Sequence, residues 1–443
     1  MSDSDEQNNL IVEVELAPGA IDQTLVLPCY GVVEARPIFN PEQGETDEAR
    51  ISALREEMLA ARVSSEGVSR IEQLPPLSSF VRLKFPGGTS ASQVIKSLKQ
   101  RPEVTRAVVV PQARPPEVPD DSLIGTTGSS ISVTSTGVER QWYLHRTRVP
   151  PVWQHATGKG VVIAAIDWGF FISHQDLRAG IERTYNAVDG TTDVTHGPRV
   201  AHGTAVLGIA GARPGNGGLA GYAPEATLWA IQGDSGTSPQ IFEEPWAEAI
   251  DYARRTDAGG KRKVIMVQIQ TPAQGNYEQV PSVHRAIRAA IADGCVVCVA
   301  AGNGNKPADR NDNGEPFDPT GSILVGATTF HASENRRARF SNFGDTIVVS
   351  APGDLDHDVT CGTSSDHSYR NRFGGTSGAA SKVAGTIALM LSVNPNLTHD
   401  GVRDILGTTG SAITEDPGKP IGVFLNTEAA VAQARRRRNP RMS

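Results

Sequence analysis

From residue 161 onward the chain repeats one pattern, a short unbroken apolar run followed by a helix-like stretch. The runs are VVIAAID (161–167), TLWAIQ (227–232), VIMVQIQ (264–270), VVCVAAGN (296–303) and ILVGATT (323–329). A strand with one wet face alternates apolar and polar residues; these do not, so each is expected to be covered on both faces. Between them lie AHGTAVLGIAGA (201–212), IFEEPWAEAIDYARRT (241–256) and SVHRAIRAAIADG (282–294), which suit helices. Alternating βα units of this kind predict an α/β fold, a doubly wound, mostly parallel sheet with helices on both faces. Ligands of such sheets bind beyond the carboxyl ends of the strands, where Asp167 and Asn303 fall.

The 443 residues exceed one average domain, and the first 110 or so differ in character from the rest. LIVEVELA (10–17), VVEARPIF (32–39), SFVRLKFP (79–86) and TRAVVVPQ (105–112) read as strands. AIDQTLVLPCYG (20–31), DEARISALREEMLAARV (47–63) and SASQVIKSLKQ (90–100) read as helices, the last begun by a Ser cap. Two strand-helix-strand halves predict a small α+β domain of the split βαβ, ferredoxin-like kind over 1–112, with an insertion around 40–78. Residues 113–140, rich in Pro, Gly, Ser and Thr, are expected to be a linker, 141–433 the main domain and 434–443 a basic tail.

A hydrophobic fraction of 38% with 21% charged residues excludes a disordered or fibrous chain. The formal net charge of −7 argues against a nucleic-acid footprint spread over the surface. The one basic block, at 435–438, is expected to be a solvated, frayed end. Of Cys29, Cys295, Cys298 and Cys361, the CxxC pair sits in a strand-like run. Residues three apart on a strand point to opposite faces, so these thiols are expected in the core rather than in a disulfide or a metal knuckle. The N-terminus opens acidic and polar, with no basic start and no apolar stretch of signal-peptide length. No apolar run reaches the length of a membrane span. The expectation is a chain made and initially kept in the cytoplasm, with export open only by a non-classical route.

Three residues carry chemistry at the mouths of these α/β units. Asp167 ends its strand; His202 opens the small-residue helix; Ser377 lies in FGGTSGAASKVAGTIALML, a Gly-rich turn running into a long apolar helix. Singly, each has a structural reading: a helix cap, a satisfied histidine, an N-cap. Together, in the order Asp, His, Ser, they match one of the known triad arrangements. Serine is a poor nucleophile at neutral pH and needs a base such as histidine to take its proton.

With VVIAAIDWGFFISHQDL, HGTAVLGIAGA, VVCVAAGN and GGTSGAASKVAG in this order, the chain resembles the subtilisin-like serine proteases, or subtilases, over roughly residues 141–433. FSNFGDTIVVSAPG (340–353), AGYAPEATLWAIQ (220–232), NPNLTHDGVRDIL and GVFLNTEAAVAQA look like the family's supporting segments. The resemblance implies a serine endopeptidase acting on protein or peptide substrates, with Asp167, His202 and Ser377 as the triad and Asn303 as an oxyanion donor beside the Ser377 N–H. No cofactor is expected for the chemistry. It also implies that residues 1–112 act as an inhibitory propeptide removed by self-cleavage, or carry an inhibitor or regulatory partner. The family commonly binds structural calcium, and DRNDNG (309–314) follows the first half of a calcium loop through Asp309, Asn311 and Asn313, although Thr320 stands where an acid usually closes it. Three departures put the specificity cleft in doubt: Trp168 after the aspartate, Ser381-Lys382 after the serine, and Gln270-Thr271 where relatives tend to have glycines beside the substrate. A silent binding scaffold would have lost one of the four site residues; an acidic serine peptidase would have Glu as base; an esterase usually has a GxSxG elbow with histidine last.

Overall fold

The computed structural model describes residues 10–17, 34–37, 79–86, 88–110, 141–197, 199–213, 218–233, 243–329, 335–354, 358–414, 416 and 418–438. The helices expected at 20–31 and 47–63, Cys29 and the whole linker at 113–140 lie outside them.

Four N-terminal strands, β1 (Leu10–Leu16), β2 (Glu34–Pro37), β3 (Phe80–Phe85) and β4 (Val104–Val109), form an antiparallel sheet in the order β2-β3-β1-β4. This is the strand order of the split βαβ unit. Val12, Val14, Leu16, Leu83 and Phe85 meet Val94 and Leu98 of helix α1 (Ala91–Leu98) in a small core of their own. Ser90 stands at the N-cap of α1, but its hydroxyl makes no capping bond and shares a hydrogen bond with Ser92 instead.

After the short helix α2 (Trp142–Arg146), the main sheet is built from β5 (Val161–Asp167), β6 (Ile181–Asn186), β7 (Thr227–Gln232), β8 (Arg262–Val267), β9 (Val296–Ala300), β10 (Ile323–Thr328), β11 (Ile347–Pro352) and β14 (Val423–Phe424). Its order is β14-β11-β10-β9-β8-β5-β7-β6, with every pairing parallel. The doubly wound sheet expected from the apolar runs is present, and the reason is visible in β5, whose seven residues are all buried. Val161, Ile163 and Ala165 face the core that holds α3 (Val200–Gly211) and α6 (Gly375–Val393). Val162, Ala164 and Ile166 face the core beneath α4 (Glu243–Arg255) and α5 (Pro281–Ala292). Burying one such side chain is worth about 1.5–3 kcal/mol, which is why a wet face is not tolerated here. Two short strands, β12 (Thr360–Cys361) and β13 (Tyr369–Arg370), form a separate ribbon.

Cys295 and Cys298 lie in opposite cores, as the spacing requires, and with Cys361 they are free, buried thiols. The basic block is solvated, as expected, but it is not frayed. After α7 (His399–Thr409), helix α8 (Thr427–Arg438) ends in those four arginines, so they close a helix rather than fray. Arg437 pairs with Asp404, and Arg438 donates to Val393 O at 2.9 Å. Cations at a helix C-terminus also meet the negative end of its dipole.

The sheet places the site. From β5 the chain goes to the edge strand β6, comes back to β7 between the two, then crosses to the other side of β5 for β8, β9 and β10, so the switch of winding direction falls between β5 and β8. Asp167 is the last residue of β5, and Asn303 follows β9 by three residues.

Candidate active site

Helix α3 carries His202 over the end of β5 because Gly203 lets it approach. A Cβ on Gly203 would lie 2.2 Å from Gly169 O and 3.0 Å from Asp167 Cβ, so only glycine fits. Thr204 ties the same turn down: its hydroxyl accepts from Phe171 N at 2.8 Å and donates to Val200 O at 2.7 Å. His202 Nδ1 thereby lies 2.8 and 2.9 Å from the two carboxylate oxygens of Asp167, whose Oδ1 also accepts from Trp168 N at 2.8 Å.

Asp167 is fully buried, and that burial pushes its carboxyl above the ordinary value; the facing imidazole and the Trp168 N–H oppose the shift. The carboxylate therefore relies on His202 for compensation, and it is placed to stabilise an imidazolium. The ring is held edge-on by Trp168 and Phe373, each 5.4 Å away between centroids. Trp168 is itself fully buried beside Trp246.

On the other side of the imidazole, Nε2 is 3.1 Å from Ser377 Oγ. Ser377 is the third residue of α6, after Gly375 at φ +68°. In that first turn Gly378 N bonds Gly374 O, and the Ser377 N–H precedes any intrahelical partner. Such donors and the positive end of the helix dipole are suited to a developing anion.

Asn303 is aimed by two contacts to a residue that sequence reasoning missed. Its Oδ1 accepts from Thr376 N at 3.1 Å and Thr376 Oγ1 at 2.9 Å, which turns the amide nitrogen to the opposite side. Gly302, at φ +97°, makes the turn before it, and its Cβ would meet Asn342 Nδ2 at 2.5 Å. Asn342 in turn clamps this loop, accepting from Gly304 N and Lys306 N and donating to Ala301 O. Nothing in the sequence marks Thr376 or Asn342 apart from their nearness to the motifs.

Lys382 was legible only as a departure. Its ammonium is fully buried, 2.5 Å from Asp358 Oδ2 and 2.7 Å from Pro352 O, and 4.7 Å above the Tyr143 ring. Burial holds it below the usual lysine value, against the pull of Asp358. A charge in the apolar helix needed a counter-charge, and Asp358 supplies it.

Of the three residues expected to hold calcium in the 309–314 loop, Asn311 has its side chain already engaged. Asn311 Oδ1 already accepts from Asn313 N and Glu315 N, its amide donates to Glu315 Oε2, and Thr320 donates to Glu278. A cation would need those oxygens free and convergent. Among the described residues His174, Asp176 and Cys361 place one ligand atom each within 4.8 Å of one another. Part of this cluster is committed: His174 Nδ1 accepts from Asp176 N, its Nε2 donates to Ser368 O, and Asp176 Oδ2 takes Leu219 N and the Tyr369 hydroxyl, whereas the buried Asp176 Oδ1 has no hydrogen-bond partner.

Comparison with known proteins points the same way as this geometry. A calcium-dependent protease of Trichormus variabilis is 30% identical over 329 residues, 65% of this chain and 48% of that protein. An intracellular serine protease of Paenibacillus polymyxa is 33% identical over 252 residues, 55% of this chain and 70% of that one. The chain thus spans about half the length of the calcium-dependent proteases it matches. A solved protease structure from Pseudoalteromonas arctica superposes with a TM-score of 0.54 at 26% identity, over 67% of this chain and 97% of that one. The model of the subtilase family, peptidase family S8, matches residues 158–431, more than half of the chain, and the protein belongs to that family.

Proposed function

We propose that the chain is a serine endopeptidase that hydrolyses protein substrates through an acyl-enzyme on Ser377. The observation that carries this reading is the unbroken chain Asp167, His202, Ser377, with contacts of 2.8 and 3.1 Å on the two sides of one imidazole. His202 Nε2 takes the Ser377 proton as Oγ attacks the peptide carbonyl. Asp167 holds Nδ1–H and stabilises the imidazolium. The Asn303 amide and the Ser377 N–H receive the oxyanion. His202 then protonates the leaving amine, and a water, activated by the same nitrogen, releases the acyl group. No helix among the described residues is long and apolar enough to cross a membrane. Digestion of casein by the wild type and not by Ser377→Ala tests the reading; equal digestion would refute it.

Within the same reading, the N-terminal sheet acts as a propeptide that this active site removes. Supporting this, β4 and α1 face the N-terminal end of α5 and residues 311–317 across a shared cavity of about 760 Å³. The Arg285 guanidinium of α5 favours the charged form of Glu15 in the N-terminal sheet. Intact-mass measurement of wild type and Ser377→Ala decides: equal processing in both would refute self-cleavage, and no processing in either would leave the sheet a permanent domain. Calcium dependence, which the names of the Trichormus and Nostoc relatives state of those proteins, is assigned here to no residue of the 309–314 loop.

A further inference from the structure

The acyl side of the substrate must meet the ends of β8 and β9. In the tetrahedral intermediate the leaving nitrogen faces His202 Nε2, which protonates it, and the oxyanion faces Asn303 and the Ser377 N–H. The remaining substituent, the α-carbon of the acyl residue, points away from His202, toward the strand exits that flank Asn303. What fills that space sets which side chain precedes the cleaved bond.

Gln270 fills it. The chain leaves β8 in extended form, and Gln270 is almost fully buried, its Oε1 accepting from Asn303 N at 2.9 Å. Its side chain therefore spans from the β8 exit to the very residue offered to the oxyanion. Beyond it the chain turns back, Gln270 pairing antiparallel with Asn276 and Gln274 N donating to Thr271 O at 2.8 Å. That turn is packed on the β9 exit: a Cβ on Gly302 or Gly304 would lie 2.9 or 2.7 Å from Gln274 O, and Asn342 Nδ2 staples the two exits by donating to Gln274 O and Ala301 O. Beneath lies Gln268, fully buried, donating to Ser381 Oγ at 3.2 Å, which donates to Ser377 O. Two glutamine amides and a tight turn thus occupy the space between the exits.

We propose that Gln270 is a specificity-determining residue that restricts cleavage to bonds after small residues, glycine, alanine or serine, by occupying the space a larger acyl side chain requires. The proposal rests on the peptidase reading. It is tested with tetrapeptide p-nitroanilides that differ only in the acyl residue, Ala, Leu or Phe, on the full chain and on Gln270→Gly. The wild type should favour Ala over Phe in kcat/KM by at least about tenfold, and Gln270→Gly should move that ratio toward Phe by a similar factor. Because Gln270 also holds the Asn303 N–H, the ratio between substrates is the readout, not the absolute rate. A wild type that cleaves the Phe substrate as well as the Ala one overturns the proposal, whether or not the variant folds; so does an unchanged ratio in a folded variant. Failure of the peptidase reading looks different: no substrate is cleaved and no fluorophosphonate adduct forms.

Discussion

Gly203→Ala is the substitution whose consequence can be worked most directly from the structure. The new methyl would sit 2.2 Å from Gly169 O, and 3.0 Å from both Asp167 Cβ and Phe170 Cε1. Relief to even 3.0 Å from the carbonyl needs a movement of about 1 Å between the start of α3 and the end of β5. Neither side is a flexible side-chain tip, so the backbone must give. His202 is the adjacent residue, and its contacts to Asp167, 2.8 and 2.9 Å, would stretch past hydrogen-bonding range. Overpacking of this kind costs about 1–3 kcal/mol in stability. A misplacement of about 1 Å in a catalytic pair costs on the order of 10²-fold in rate. The assay is kcat/KM on a fluorogenic peptide together with the calorimetric Tm. Gly407→Ala is the control, since its Cβ lies in α7 with the nearest atom, Val348 Cγ1, at an ordinary 3.7 Å; it should be neutral or stabilising by up to about 1 kcal/mol. A Gly203→Ala protein with near-normal activity and an unchanged Tm would refute the close-approach argument.

Three further outcomes are expected. Lys382→Met leaves Asp358 buried without its cation and should cost about 3–5 kcal/mol, read as a fall in Tm, whereas the double variant Lys382→Met, Asp358→Leu should recover much of it; a single variant as stable as wild type contradicts the pairing. Glu248, pushed up to about 7 chiefly by burial, contributes stability that is complete below its ordinary value near 4.5 and is lost as pH rises through 7. That loss is at most about 3 kcal/mol, and urea titrations of Glu248→Gln at pH 5 and pH 8 should show a flatter pH dependence; an unaltered slope excludes Glu248 as its source. Asn311→Ala should leave any calcium response of the Tm unchanged, because its oxygen is spent on Asn313 N and Glu315 N; a calcium effect abolished by this variant would place the ion in that loop.

The sheet was legible because β5, β7, β9 and β10 are apolar on both faces, a demand that only a covered parallel sheet meets. The opposite facing of Cys295 and Cys298 followed from strand periodicity alone. Asp167, His202, Ser377 and Asn303 carried their own local patterns, so they could be singled out before any geometry was known. What the sequence hides is long-range pairing. Asp358 looks like any loop acid until Lys382, 24 positions on, is seen to be fully buried against it. Thr376 and Asn342 act through hydrogen bonds to a loop that periodicity does not describe. The arginines at 435–438 misled because a charge run resembles a frayed end, and the Asp404 partner that holds Arg437 comes from another helix.

In the proposed reaction Ser377 is a nucleophile activated by His202. Treatment with a fluorophosphonate probe, followed by peptide mapping, tests this directly. A single adduct on Ser377 is predicted, formed at least about 10³-fold more slowly in His202→Ala. An adduct on another residue, or undiminished labelling without the imidazole, would contradict it.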